Sequence, residues 1–366
     1  RAAQLAYFAV MMKARQYDRR LFSRGIQPNV MAIQESNTLE AFDHLQGQLS
    51  LNNVCLETAN QLIRTFRNAK EYGSILDVDI AYLNTADRLM EQLYAINGDF
   101  ELMAWIEKAE SLLPVLAKQA GIMQQKYDVV VTNPPYMGAS GMGAKLSEFV
   151  KKNYPDGKSD LFSCFIEHGN QMTKRDGLNC MVTMQSWMFL SSFEKMREKV
   201  LQATTIKNLM HMENMVMGIA FGTAVTIFQN SHISGYKGTY NQIKLHDVEN
   251  GVPKEFPVMK NRFAQVSTDD FSKIPGSPVA YWVSESVPAI YSNNPTLEKI
   301  ADVRHGLSTG KNELFVRRWE EVDWSKIDFS ITNRTQIASS PAKWFPYNKG
   351  GDYRLWYGNA DYVLWY

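Results

Sequence analysis

The fold is indicated by nine residues, 128–136, which read Asp128-Val129-Val130-Val131-Thr132-Asn133-Pro134-Pro135-Tyr136. Three consecutive valines predict a buried strand, since β-branched side chains favour extended backbone. The two prolines end that strand, because proline donates no backbone hydrogen bond and fixes a rigid turn. A turn at the carboxyl edge of a parallel sheet faces the crevice in which ligands bind. We therefore expect the functional site at residues 133–136.

Strand and helix patterns alternate after this turn. Apolar residues at strand spacing predict strands over 179–184, 206–210 and 222–229, and helical spacing predicts helices over 160–172 and 193–201. The last two strands are expected to form a hairpin. Such alternation indicates an α/β fold with a largely parallel sheet.

Three segments are distinguished by their residue patterns. Residues 1–232 are interpreted as one α/β domain, interrupted at 38–125 by a helical insertion far longer than a usual crossover. Residues 233–290 are interpreted as a β-rich region punctuated by proline, and 291–366 as the start of a further module.

Composition excludes some classes and leaves others open. The chain has 366 residues and a net charge of +1, so charge argues neither for nor against nucleic acid. Its cysteines, Cys55, Cys164 and Cys180, lack metal-ligand spacing and argue against a disulfide scaffold or a zinc site. Without a transmembrane-length apolar run, we expect no membrane partner and a cytoplasmic location.

The turn resembles a known motif. Asn133-Pro134-Pro135-Tyr136 resembles motif IV of the adenine N6 DNA methyltransferases, and the chain resembles their γ-ordered class, closest to the PglX type of BREX phage-defence systems. Residues 2–20 and 343–351 resemble further stretches of that type. The resemblance implies a Rossmann-like class I methyltransferase sheet and S-adenosyl-L-methionine as cofactor. It also implies double-stranded DNA with a flipped adenine as partner, and other defence-system proteins.

The residues of the turn can activate an amino group as a nucleophile. An exocyclic amine is a poor nucleophile because its lone pair is delocalised into the ring. The Asn133 side-chain oxygen and the Pro134 carbonyl can both accept hydrogen bonds from one such amine, which localises the lone pair and aims it. Pro135 keeps the turn rigid, and Tyr136 offers a flat face to a planar base.

The resemblance suggests further site residues, each with a structural alternative. Glu35 and Ser36, at the end of a third strand over 29–37, are expected to bind the cofactor, or form an ordinary exposed strand end. Asp160 and Phe162 resemble motif V beside the cofactor, or are a helix cap and a core residue. Phe228 resembles the aromatic of motif VIII that clamps the base, or is core.

The resemblance also covers Gln185-Ser186-Trp187, which is similar to motif VI.

The family's first motif, a glycine-containing loop, is absent. Because Arg1 also opens inside an apolar helical pattern, we expect a piece of a larger protein, truncated at both ends. Such a piece is expected to bind the cofactor weakly and to be inactive alone.

Two other functions remain open at this point. The transfer could go to a protein glutamine or to an RNA amino group, although a large aromatic C-terminal region disfavours those compact enzymes. The chain could also be a non-catalytic DNA-binding fragment, against which the intact Asn133-Pro134-Pro135-Tyr136 argues.

Overall fold

A computed structural model of the chain describes residues 1–42, 53–83, 88–96, 100–216, 218–284, 286–302 and 307–366. Two compact units are formed, residues 1–294 and 295–366. In the described residues, no helix combines the length and apolar character needed to cross a membrane.

The strands of the first unit are β1 to β8, at Tyr127–Thr132, Thr173–Met184, Thr205–Met212, Thr223–Gln229, Lys237–Ile243, Val248–Glu249, Val252–Pro253 and Arg262–Ser267. Its helices are α1 to α11, at Ala2–Tyr17, Asn53–Thr65, Ala69–Tyr72, Leu89–Tyr94, Phe100–Ala109, Leu113–Gln124, Ala144–Asn153, Leu161–Met172, Glu194–Ala203, Thr268–Phe271 and Ser286–Asn293. The main sheet has the order β1-β2-β4-β3-β5-β8.

The sheet confirms the α/β class but is mixed rather than largely parallel. The β1–β2 and β3–β5 pairings are parallel, and the other three are antiparallel. The difference arises because β4 returns from β3 as the predicted hairpin and inserts between β2 and β3. Strands β1, β2, β3 and β5 therefore share one direction, and their carboxyl ends meet at one edge.

The valine strand is not buried as expected. β1 is the outer strand at one end of the sheet order, and the side chains of Val129 and Val131 are 55% and 71% exposed. Position in the sheet, which the local sequence does not encode, accounts for the difference.

The predicted strand over 29–37 is also not formed. Its backbone hydrogen bonds go to helices instead. The Gln34 N–H donates to Oε1 of Gln119 on α6 at 2.7 Å, and the Ser36 N–H donates to the carbonyl of Phe66, which follows α2, at 3.1 Å.

The predicted helical insertion contains α2 to α6. These helices pack around an apolar core of their own that includes Leu62, Leu93, Ile106 and Leu116. Residues 43–52, 84–87 and 97–99 of the insertion lie outside the described residues.

The main sheet does not stop at residue 232. β5 and β8 hydrogen bond to it, so the structure places the division between compact units after Asn294 rather than at 232. The sheet core joins α8 and α9 to the sheet and to a later segment through Phe162, Met196, Phe228 and Tyr281.

The second unit has a small antiparallel sheet of its own. Strands β9, β10 and β11, at Val316–Arg318, Trp344–Tyr347 and Tyr362–Trp365, pair in the order β10-β11-β9, and helices α12 and α13 occupy Asn312–Phe315 and Arg334–Ile337. The Lys343 ammonium lies 3.9 Å from the ring centroid of Trp365. The assignment of this region to target recognition stays a prediction.

Arg197 on α9 is a buried cation that joins three segments. Its side chain is 1% exposed, and its guanidinium donates to the carbonyls of Trp187, Leu190, Gly276 and Ser277. Burial lowers the pKa of Arg197.

Replacing Arg197 by Met should lower the free energy of unfolding by about 2–5 kcal/mol, because several buried carbonyls lose their donor. Urea denaturation measures the effect, and Arg175→Met on the exposed surface is the matched control. Equal stability of the two variants would contradict this role.

The carboxyl group of Glu167, on α8, makes the free energy of unfolding depend on pH. Burial, reinforced by the nearby Asp156 carboxylate, raises the pKa of Glu167 from 4.5 to about 7. The folded state therefore holds this proton more tightly than the unfolded state, and the stability so gained is lost as the pH rises through about 7.

Between about pH 5 and about pH 8, the wild-type protein should lose more unfolding free energy than Glu167→Gln, which carries no titrating group there. Urea denaturation across that range measures the difference. Glu148→Gln on exposed α7 should keep the wild-type slope, and a Glu167→Gln slope equal to it would rule out the assignment.

Candidate active site

The turn that follows β1 lies at the carboxyl edge of the parallel strands, as predicted. Asn133 and Pro135 are exposed, Pro134 is buried, and Tyr136 is half-buried. The buried proline fixes the backbone between two accessible residues, so the Asn133 carboxamide faces solvent from a rigid support.

Tyr136 holds the turn against the neighbouring strand. Its hydroxyl lies 3.1 Å from the Val182 carbonyl of β2 and 3.1 Å from Oδ1 of Asn133. Partial burial raises the pKa of Tyr136, so the phenol stays protonated and donates. One hydroxyl therefore connects the Asn133 carboxamide with the interior of the sheet.

The aromatic residue beside Tyr136 is Phe221, which the sequence analysis missed. The two rings are 5.6 Å apart and nearly perpendicular, and Phe221 is half-buried just before β4. β4 runs antiparallel, so its amino end lies at the edge where Asn133 is found. The pattern Phe221-Gly222 before a strand is the sequence signal that could have indicated it.

The hypothesis that Phe228 clamps a base is wrong. Phe228 is 0% exposed and packs against Trp187 at 5.7 Å between ring centroids. It pairs with Asn179 in the middle of β2 and with Ile206 near the amino end of β3, close to the carboxyl end of β4 and away from the edge at which Phe221 lies. The alternative, a core residue, is what the structure shows.

Asp160 joins the turn to α8. Its Oδ1 accepts from the Met137 N–H at 3.0 Å and from the Phe162 N–H at 3.3 Å, the second bond being a helix cap. Burial raises the pKa of Asp160, and these backbone donors oppose the shift. The structure therefore gives Asp160 the capping role and places its half-buried carboxyl next to the turn.

Phe162 has no surface for a ligand. It is fully buried, between Phe193 at 5.4 Å and the edge of Tyr136 at 6.2 Å between ring centroids. The expectation that Phe162 contacts the cofactor is therefore wrong. Phe162 is a core residue that packs against the Tyr136 ring.

Ser36 is buried, like Phe162, whereas Glu35 is partly exposed. Ser36 is 1% exposed, and its hydroxyl donates to the Ile63 carbonyl, so it has no surface left for a ligand. The Glu35 carboxylate is partly accessible and lies 3.7 Å from the Lys70 ammonium. Only Glu35 of the pair remains a candidate for cofactor binding.

A second polar group lies beside Phe221. Gln185, the residue after β2, donates its backbone N–H to the Gly222 carbonyl at 3.0 Å, and its side-chain Oε1 lies 2.5 Å from Nε2 of His211. Nδ1 of His211 lies 2.9 Å from the Tyr281 hydroxyl. Gln185 is indicated by its likeness to motif VI, whereas no sequence pattern indicates His211, because its partners are distant in the chain.

Comparison with known proteins identifies the family. Residues 1–216 match the Eco57I restriction-modification methylase family. The chain belongs to that family. As an Eco57I-type methylase, it carries the predicted motif on the sheet edge where that motif was expected.

Curated relatives of this methylase match over its whole length. It is 36% identical over 393 residues to the adenine-specific methyltransferase BrxX of Escherichia coli O9:H4 (strain HS). It is 34% identical over 376 residues to the adenine-specific methyltransferase PglX of Lacticaseibacillus casei (strain Zhang). The chain spans 32% and 31% of these two proteins, and the predicted resemblance to the BREX type is confirmed.

Solved structures are more distant from this methylase. A type I restriction-modification system chain matches with a TM-score of 0.32 and 13% identity, covering 55% of this chain and 56% of that one. The EcoKI M protein of a type I restriction enzyme matches with a TM-score of 0.27 and 13% identity, covering 45% and 33%. Similarity at this level establishes nothing further.

Truncation to alanine should destabilise the protein less at Phe221 than at Phe228. Phe228→Ala should lower the free energy of unfolding by about 3–5 kcal/mol, because it empties a filled core position. Phe221→Ala should cost less than half as much, since that ring is partly in solvent. Urea denaturation measures both, and an equal loss would contradict the placement of Phe221 at the open edge.

Proposed function

We propose that the protein transfers a methyl group from S-adenosyl-L-methionine to N6 of adenine in DNA, in phage defence or restriction-modification. The observation that carries the proposal is the exposed Asn133 carboxamide, held by Tyr136 at the carboxyl edge of the sheet. The names of the curated relatives, adenine-specific methyltransferases, support the same substrate and reaction. Since the chain spans about a third of those proteins, the activity is proposed for the full-length gene product.

The carboxamide oxygen of Asn133 and the carbonyl of Pro134 accept hydrogen bonds from the adenine amine. Two fixed acceptors draw the nitrogen toward tetrahedral geometry and direct its lone pair, at no cost in reorganisation. Pro135 restricts the turn so that the acceptors keep their separation. Tyr136 and Phe221, whose rings meet nearly at right angles 5.6 Å apart, form an aromatic surface beside Asn133 on which the planar base stacks.

A target adenine inside duplex DNA must leave the stack to reach these groups. Double-stranded DNA is therefore the proposed substrate, with the adenine flipped against Tyr136. Other proteins of the defence system are proposed partners of the full-length protein.

The described residues fit part of a cofactor site. The Glu35 carboxylate is accessible and suits the amine of an adenosine group, and the Asp160 carboxyl is half-buried next to the turn. Ser36 and Phe162 do not fit, because both are buried. When bound, the cofactor supplies an electrophilic methyl group on sulfur.

Asn133→Ala in the full-length gene product should lower the methylation rate by about a hundredfold or more, because one of the two acceptors is lost. Transfer of tritium from labelled S-adenosyl-L-methionine to duplex DNA measures the rate, with RNA and protein as parallel acceptors. DNA affinity, measured by anisotropy, should change little.

Asn133→Asp is the matched variant, since it keeps an acceptor oxygen and should retain more activity than Asn133→Ala. Label entering RNA or protein instead of DNA would favour the alternative amino-methyltransferases. No transfer by the wild-type protein to any acceptor would favour a non-catalytic role.

A further inference from the structure

Three side chains form a hydrogen-bonded series at the carboxyl edge of the sheet. The Tyr281 hydroxyl lies 2.9 Å from Nδ1 of His211, and Nε2 of His211 lies 2.5 Å from Oε1 of Gln185. Tyr281 is 1% exposed and His211 is buried, whereas Gln185 is half-buried. The series therefore runs from the core to the surface and ends on the Gln185 amide.

The series fixes which atom of Gln185 faces outward. The Gln185 oxygen can only accept, so Nε2 of His211 carries the proton, and in a neutral imidazole Nδ1 then accepts from the Tyr281 hydroxyl. Burial lowers the pKa of His211, which agrees with a neutral ring. The amide NH2 then points away from His211, toward exposed Asn214, whose Oδ1 lies 3.5 Å from it.

Gln185 lies against Gly222, which follows Phe221 of the proposed base site. Its backbone N–H donates to the Gly222 carbonyl, and an added Cβ at Gly222 would come within 2.4 Å of the Gln185 side chain. The preceding residue, Phe221, contacts the Tyr136 ring. Glycine at position 222 thus leaves room for the Gln185 side chain against the residue that follows Phe221.

We propose that Gln185 is a specificity-determining residue, whose amide NH2 donates a hydrogen bond to a ring nitrogen of the target base. His211 and Tyr281 are positioning residues that hold the amide with its nitrogen outward. The inference rests on the proposed function and extends it, since adenine carries acceptors at N1, N3 and N7 in addition to the reacting amine. A base held only by its amine would not be oriented within the plane of its ring.

Deaza analogues test this contact. Duplexes carry adenine, 1-deazaadenine, 3-deazaadenine or 7-deazaadenine at the target position, each of which keeps the exocyclic amine. For the full-length protein, one analogue should show a kcat/KM lower than adenine by about tenfold or more, because the Gln185 donor is left unpaired. Gln185→Leu should show a similar loss on adenine and no further loss on that analogue.

Positioning variants separate orientation from folding. His211→Phe and Tyr281→Phe should reduce the discrimination against the same analogue, while Gln202→Leu, at an exposed position of α9, should keep it. The Kd for S-adenosyl-L-methionine and the Tm show whether a variant is folded. A merely structural role would alter those two quantities and leave the discrimination unchanged.

Two outcomes overturn the inference alone. Either the wild-type protein methylates all three analogues as well as adenine, or Gln185→Leu keeps the wild-type discrimination. Failure of the wild-type protein to methylate adenine would instead overturn the proposed function, and the inference with it.

Discussion

The candidate site depends on one hydrogen-bond donor, the hydroxyl of Tyr136, shared between a backbone carbonyl of β2 and the side chain of Asn133. The Asn133 carboxamide is on the surface, where an asparagine side chain would otherwise sample several rotamers. The bond to Val182 anchors the hydroxyl in the sheet, and the bond to Asn133 passes that rigidity to the exposed amide. Phe162 completes the support, because its buried ring meets the edge of Tyr136.

The local parts of this arrangement could be predicted from sequence. Three valines followed by two prolines indicate a strand that ends in a rigid turn, and Asp160 before an apolar helical pattern indicates a cap. Both features are formed by neighbours in the chain. Hydrogen-bonding preferences within a few residues are enough to decide them.

The remaining parts depend on contacts between distant residues. Phe221 precedes β4 and Phe228 lies near its carboxyl end, and only the antiparallel direction of β4 in the sheet decides which of them reaches the Asn133 edge. The backbone of residues 29–37 is extended enough to suggest a strand, but a glutamine on α6 satisfies it instead. The boundary expected at 232 followed a change in composition, which does not reveal that later strands join the same sheet. His211 had no visible role because its two partners lie 26 and 70 residues away.

The outer strand β1 leaves the side chains of Val129 and Val131 exposed. Among the described residues β1 pairs with β2 alone, so its other side presents backbone groups to which a further extended segment can hydrogen bond. Asp128 on the same strand lies 3.0 Å from the Lys174 ammonium, so an exposed ion pair stands beside the valines. Kosmotropic salts screen that pair and strengthen apolar contact, so they favour the addition of a further strand at this side of β1.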